Sequence, residues 1–532
     1  MRRLLRNFLR SDTGSVAPTV GLSLFALIAA GGIAFDYARL ASMDTELQNA
    51  ADQAALAAAS QLDGNTGACA RAAAAARDLL ANQTLFANET GSNRAITVAD
   101  EATCDATGNV QFYQSYDRVN DTFGAAATSD ADAHVVLVRV DTRQAFYALT
   151  PVVGAFSSPN IAGEAVAELG SAICKVPPVM MCNPAEPAGN TDVSYDFNAV
   201  EGQGLRLVIG DPDAPGNFGF LRTDAAGAQQ VAKELGYDNP PFGCMQTNGV
   251  ETETGNMISV RAAFNTRFDI SENGSTTCPA GGVCSSSRNS RKDLVKTDAD
   301  GCTLGNNGWR EGPSPYRPTD PVNPLPVGSD PTTMGFPRDM CHAVSLTGSC
   351  SGGIIGNGAW DIDAFFRVNY GPTWDRNYWM THTFDENGNP LAATAADIPS
   401  VSRYDVYQWE MRNPTTTIDT PRTVTGTSPA QKSFSSPVCR GSITPSSTVP
   451  DRRRISVAVV NCNAQNLNGH ETNVQVRKWV DVFLVEPAIQ RGNGPSQRST
   501  NGDIYVEVIG VTSTGGSANN AVTRRDVPYL IR

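Results

Sequence analysis

The sequence predicts an α+β protein: one N-terminal transmembrane helix continuing into a helical stalk, then a disulfide-rich, mainly antiparallel or mixed β exported region with long loops. Three observations predict it. Residues Val16 to Phe35 form one uncharged run. All twelve cysteines lie beyond that run. Downstream, β-branched and alternating segments follow one another with few helical patterns between them.

The uncharged run is 20 residues long, enough to span roughly 30 Å of hydrocarbon as a helix. Before it stand Arg2, Arg3, Arg6 and Arg10, opposed only by Asp12. Basic residues stay on the cytoplasmic side, so they set an orientation in which everything after Asp36 crosses. Nine strongly apolar residues in the run supply roughly −3 to −5 kcal/mol of insertion free energy, opposed by Pro18, Thr19, Ser23 and three glycines. A cleaved signal peptide also begins with basic residues. The run is longer than such a signal needs, and Asp36-Tyr37-Ala38-Arg39 leads into more helix rather than into a small-residue cleavage site.

That continuation reads as helix to about Leu62. Leu40, Met43, Leu47, Ala51, Ala54, Ala58 and Leu62 recur in steps of three or four, and Gly64 is the first interruption. The alanines permit close helix approach. The stripe either packs on the chain's own domain or docks on a neighbouring subunit.

The string Asp36-x-x-Arg39, followed by Leu47-Gln48-Asn49-Ala50-Ala51-Asp52-x-Ala54-Ala55-Leu56 after an apolar span, resembles the N-terminal segment of Tad (Flp) pilus-assembly proteins of the TadE/TadG-like kind. Ile173 to Pro184 and Pro215 to Leu221 are similar to later stretches of TadG-like proteins. The resemblance implies a single-pass protein of a bacterial inner membrane, with the N-terminus cytoplasmic and the C-terminal bulk periplasmic. It implies a non-catalytic pilus-assembly or secretion component whose partners are membrane lipid and other pilus-assembly or envelope proteins. The alternative is a minor pilin or tip adhesin displayed outside the cell. Two departures stand out. Prepilin-like members carry Glu five residues after a cleavage glycine; counted from Gly14, this chain has Thr19. Longer TadG proteins carry an Asp-x-Ser-x-Ser metal motif; Asp192 to Asp196 and Asp269 to Asn273 only approach it.

On this reading the chain divides into a basic tip (1–14), a transmembrane helix (15–36), an Ala-rich stalk (37–62), a small pilin-like α+β domain (63–170) and a Cys-rich, mainly β region (171–532). The net charge of −13 becomes −16 once the first twelve residues (four Arg, one Asp) are set aside. Such an acidic surface repels nucleic acid. The cysteines are Cys69, Cys104, Cys174, Cys182, Cys244, Cys278, Cys284, Cys302, Cys341, Cys350, Cys439 and Cys462. None is in C-x-x-C spacing, which suits disulfides in an oxidising compartment rather than zinc. Expected pairs are Cys69 with Cys104, Cys174 with Cys182, Cys278 with Cys284, Cys341 with Cys350, and Cys439 with Cys462.

Residues Asn65 to Ala87 continue as helix. Strands are expected at Val110 to Tyr113, His134 to Val140, Glu164 to Leu169, Leu205 to Gly210, Ile455 to Cys462, Val474 to Val476, Val480 to Glu486 and Ile504 to Ile509. A helix is expected from Thr223 to Leu235, with Gly236 past its end. Residues 271–341 and 411–450 read as long loop regions. Trp360 to Phe366 and Tyr404 to Glu410 read as half-buried strands with rings inside, or as an aromatic surface for carbohydrate or a partner.

No catalytic or cofactor constellation stands out. His134, His342, His382 and His470 lack metal-ligand spacing, and neither a G-x-S-x-G elbow nor a P-loop occurs. The missing P-loop excludes an assembly-ATPase role. Asp298-Ala299-Asp300-Gly301 and Asp211-Pro212-Asp213 resemble parts of calcium loops, but turn chemistry accounts for both. No cofactor, metal, small-molecule substrate or nucleic acid is expected.

Overall fold

The computed structural model describes residues 16–531 apart from 63–65, 80–102, 118–119, 131, 141, 175–176, 185, 187–195, 210–216, 223–226, 240–243, 247, 254–259, 273–277, 279–281, 347–349, 351–352, 447–450, 468, 477 and 513–522. Arg2, Arg3, Arg6 and Arg10 therefore lie outside the described residues, as do Asp192 to Tyr195, Asp211 to Asp213 and Thr223. Two compact units form: residues 1–171 with 526–532, and residues 172–525. The sequence reading kept 171–532 together, whereas Asp526 to Arg532 belong with the first unit.

The first unit is built on α1 (Val16–Ala59), a helix of 44 residues. It is followed by α2 (Ala68–Leu79), whose alanine run favours helix strongly. Strands β1 (Val110–Tyr113) and β2 (Val135–Arg139) pair antiparallel, and β2 pairs antiparallel with β3 (Glu164–Cys174). In β2, Val136 and Val138 face the helices, while Val135 and Leu137 face a second small cluster with Tyr113 and Phe123. This is the alternation a pleated strand requires. Met43, Leu47, Ala51, Ala54, Ala55 and Ala58 of α1 pack into the same core as Ala72 and Ala76 of α2. The stripe thus packs on the chain's own domain.

In the second unit the principal strands are β4 (Val179–Cys182), β5 (Gly204–Ile209), β6 (Asn217–Arg222), β7 (Asn248–Thr252), β8 (Arg454–Val460), β9 (Val474–Gln475), β10 (Lys478–Leu484) and β11 (Asp503–Val511). Six of them close a ring in the order β4-β8-β10-β11-β5-β6 and back to β4. The β4–β8 and β5–β6 pairs are parallel and the other four antiparallel. Val179, Leu205, Leu207, Val457, Val459, Val480, Val482, Ile504 and Val506 contribute to one core cluster. Closure removes the sheet edges that a flat arrangement would leave. The last strand, β12 (Thr523–Leu530), lies next to β3, where Ile531 N–H donates to Val166 O at 2.8 Å. It escaped the sequence reading because Arg524, Arg525 and Asp526 break its apolar pattern.

The helix expected from Thr223 is α3 (Ala228–Gly236), starting after Gly227. The aromatic segments require a correction. They are not strands: α4 spans Ile362–Tyr370 and α6 spans Arg403–Arg412, with α5 (Arg376–His382) between them. Asp361 caps α4 by accepting the Ala364 N–H, and Ser402 with Asp405 forms a complete capping box on α6. These caps satisfy orphan amides and commit both segments to helix. The rings are nonetheless inside: Phe365, Phe366, Tyr407 and Trp409 join Phe336, Trp379 and Phe483 in one cluster.

Candidate functional site

The stereochemistry of α1 changes halfway along its length. From Val16 to Phe35 its large side chains are bare, with Leu22 72% and Leu27 70% exposed. From Met43 onward its inner face is sealed. The helix is long and apolar enough to cross a membrane. Two segments of the first unit, 146–150 and 163–164, grip it at and beyond the point where bare face gives way to docked face.

Asp36 is buried, and its carboxylate accepts the N–H groups of Ala148, Leu149 and Thr150 at 2.9, 2.9 and 2.7 Å. It also accepts the Thr150 hydroxyl. These groups open a short 3₁₀ helix, Thr150–Val153, whose first amides have no partner of their own. One turn on, Arg39 donates through Nη1 to Phe146 O at 3.0 Å. Further along, Gln48 Nε2 donates to Glu164 O at 2.9 Å, fixing the start of β3. Beside it the backbone of Gly163 approaches α1 so closely that an added Cβ would lie 2.2 Å from Leu47 O. The residues that carry the family resemblance thus bind α1 to its own domain.

Among the described residues, disulfides join Cys69 to Cys104, Cys182 to Cys462, Cys278 to Cys284, Cys302 to Cys439, and Cys341 to Cys350. No described cysteine is free. Two expected pairs are corrected. Cys182 does not pair with Cys174, and Cys439 does not pair with Cys462. Cys182 ends β4 and Cys462 follows β8, and these strands are parallel neighbours with Val460 opposite Cys182. Short sequence separation misled there because the sheet, not the loop, brings the sulfurs together. Cys341, His342 and Cys350 lie close together, as do Cys69, Cys104 and Asp130. In both groups the sulfurs are committed to disulfides, so they offer no thiolate to a metal.

Several buried charges in the second unit are paired internally. Arg403 lies between Asp339 and Glu507, all three fully buried. Glu507 also accepts the N–H groups of Arg403 and Tyr404 at 2.9 and 2.8 Å. Burial pushes the Glu507 carboxyl up, and the Arg403 guanidinium opposes that shift. Arg291 pairs with Glu410 at 2.8 Å. Among the described residues, no carboxylate lies at ion-pair distance from Lys292; its ammonium lies 3.8 Å from the Trp309 ring centroid, and burial drives its pKa down to about 7.

The histidines are dispersed. His342 is buried, with Nδ1 2.9 Å from the Tyr505 hydroxyl and Nε2 2.8 Å from Gly353 O, and burial lowers its pKa. His382 stacks on Tyr378. His470 sits 3.2 Å from Glu251. His134 precedes β2 and donates its backbone N–H to Tyr113 O. The near-miss metal motif at Asp269 is occupied, because its carboxylate accepts the N–H groups of Val438, Cys439 and Arg440. Asp300 serves its own turn, binding the Thr297 N–H and Arg310, and Asp298 pairs with Lys432.

The class defined by these features is a protein carrying a long N-terminal helix of membrane-spanning length on a cystine-linked α+β body. Residues 14–61 match the family described as putative Flp pilus-assembly TadE/G-like. The N-terminal segment is thus similar to that family, and the match supports a pilus-related role. No curated protein and no solved structure matches the chain.

Proposed function

We propose that this chain is a single-pass inner-membrane component of a Tad/Flp-type pilus assembly or secretion system, with its tip in the cytoplasm and its bulk in the periplasm. It acts by protein–protein binding without turnover. Its partners are membrane lipid and other pilus-assembly or envelope proteins, and it takes neither nucleic acid nor a small-molecule substrate. The observation that carries this reading is the division of α1: a bare apolar half of bilayer length continues, without a break, into a half locked on its own sheet. The disulfides support an oxidising compartment. The arginines of the tip, Arg2, Arg3, Arg6 and Arg10, support the orientation.

Deleting the gene tests the role. Loss of pili and of surface attachment is expected, and unchanged assembly contradicts it. A half-bare helix on a small antiparallel sheet also favours a second reading, a minor pilin or tip adhesin. That reading requires the protein in sheared pili with a processed N-terminus. Under the membrane-component reading it stays in the membrane fraction.

A further inference from the structure

Between Arg143 and Glu164 the sequence contains no charged residue. This stretch folds into an arm with an irregular paired stem. Arg143 bridges Ile161, Phe146 bridges Ser157, and Tyr147 N–H donates to Phe156 O at 2.9 Å. The tip is the 3₁₀ helix Thr150–Val153, closed by Gly154 in the left-handed region at φ 89°. Among the described side chains of this arm, Phe146 at 51%, Leu149 at 50% and Phe156 at 67% exposure are bare.

The position of the arm gives these side chains a common surface. Leu149 lies against Gly32, where an added Cβ would come 3.0 Å from the Leu149 Cβ. Gly32 is three residues inside the end of the apolar run at Phe35, about 5 Å along the helix axis. The arm therefore reaches back past Asp36 alongside the segment that sits in lipid. Asp36, the one carboxylate at this level of α1, has its charge satisfied by four donors from the arm, so no bare carboxylate faces the membrane boundary. Tyr37, 70% exposed, and Arg39 lie just beyond, where aromatic and long basic side chains suit the headgroup layer.

We propose that the arm from Arg143 to Ile161 is a second membrane contact, an apolar foot whose Phe146, Leu149 and Phe156 rest in the periplasmic leaflet of a phospholipid bilayer beside α1. An interfacial element typically buries its apolar face about 5–10 Å into the headgroup and acyl boundary, which matches the depth at which Leu149 meets the helix. The foot rests on the proposed anchor. It makes the first unit a body held at two points, with its orientation to the membrane fixed, rather than a head swinging on one helix.

Full-length protein in vesicles of phosphatidylethanolamine and phosphatidylglycerol, carrying a nitroxide at one introduced cysteine, separates the outcomes. The labelled variants are Phe156→Cys, Leu149→Cys, Leu27→Cys within the apolar run, and Ser60→Cys just past the C-terminal end of α1. Relaxation by oxygen reports lipid, and relaxation by a water-soluble nickel chelate reports water. The foot predicts that oxygen dominates at Phe156 and Leu149, as at Leu27, with the order reversed at Ser60. Chelate-dominated relaxation at Phe156 and Leu149, with Leu27 in lipid, overturns the foot and leaves the anchor intact. Exclusion of both reagents there marks a protein contact and overturns it equally. Chelate access at Leu27 overturns the anchor itself, and the foot with it.

Discussion

The backbone N–H of Thr150 meets the carboxylate of Asp36 at 2.7 Å, across 114 residues of chain. Asp36 is a motif residue of the family-like segment, and here it acts as the cap of a remote 3₁₀ helix. The motif therefore encodes how the N-terminal helix is fastened to the rest of the first unit.

Replacing Asp36 by alanine strands the three amides of residues 148–150 without an acceptor. Leaving buried donors unmade costs about 1–3 kcal/mol each. Asp36→Ala should speed amide hydrogen exchange in residues 146–156 by at least about tenfold, leaving the second unit unchanged. Unaltered exchange in the arm would show that Asp36 does not hold it.

Gly163→Ala places a methyl 2.2 Å from Leu47 O, a backbone atom that cannot step aside. Overpacking of this kind costs about 1–3 kcal/mol. Hydrogen exchange on the full chain should show loosening of β3 and of the docked half of α1. Gly21→Ala meets nothing within 4 Å and serves as the neutral control.

Arg403→Leu leaves Asp339 and Glu507 buried without their cation, a loss of about 3–5 kcal/mol. The sign with pH follows from Glu507, whose folded pKa is raised by burial even with Arg403 present. A raised carboxyl binds more protons folded than unfolded, so its cost grows as pH climbs above the unfolded value. Thermal melts should show a larger deficit at about pH 8 than at about pH 5.

Lys292 behaves oppositely. Its folded pKa falls from 10.5 to about 7. The unfolded chain then binds more protons between those values, so the stability set by this group rises with pH across that window. Lys292→Met, similar in length and uncharged, should flatten the rise and stabilise the second unit at about pH 6 by at least about 1 kcal/mol. Destabilisation there would mean that the ammonium over Trp309 outweighs its desolvation.

Non-reducing peptide mapping checks the cystines directly. It should recover Cys182 linked to Cys462 and Cys302 linked to Cys439. The first pair spans 280 residues, and replacing both cysteines by alanine should cost about 2–5 kcal/mol. Peptides joining Cys439 to Cys462 would contradict the ring of strands.

What could be read in advance was whatever is encoded locally. The α1 stripe from Leu40 to Leu62, the valines of β2 and the alternation of β11 each show their period within one element. The ring closure was not legible, because it depends on β4 meeting β8 across 270 residues and more. The helices α4 and α6 were legible in principle. Asp361 and the Ser402-x-x-Asp405 box announce helix starts, and Ile362, Phe365 and Phe366 follow helical spacing. The alternation of large rings with small or polar residues outweighed those caps in the reading. Asp36 and Arg39 stood out as a motif, but their partners at residues 146–150 lie in a stretch without a periodic signal.

Fusing alkaline phosphatase, which is active only where its disulfides form, to the C-terminus of the full chain tests the central claim most directly. The anchor and its orientation predict strong phosphatase activity in intact cells, with the fusion retained in the inner-membrane fraction. An inactive phosphatase fusion, together with a cytoplasm-dependent reporter that works at the same position, would contradict both the topology and the periplasmic role built on it.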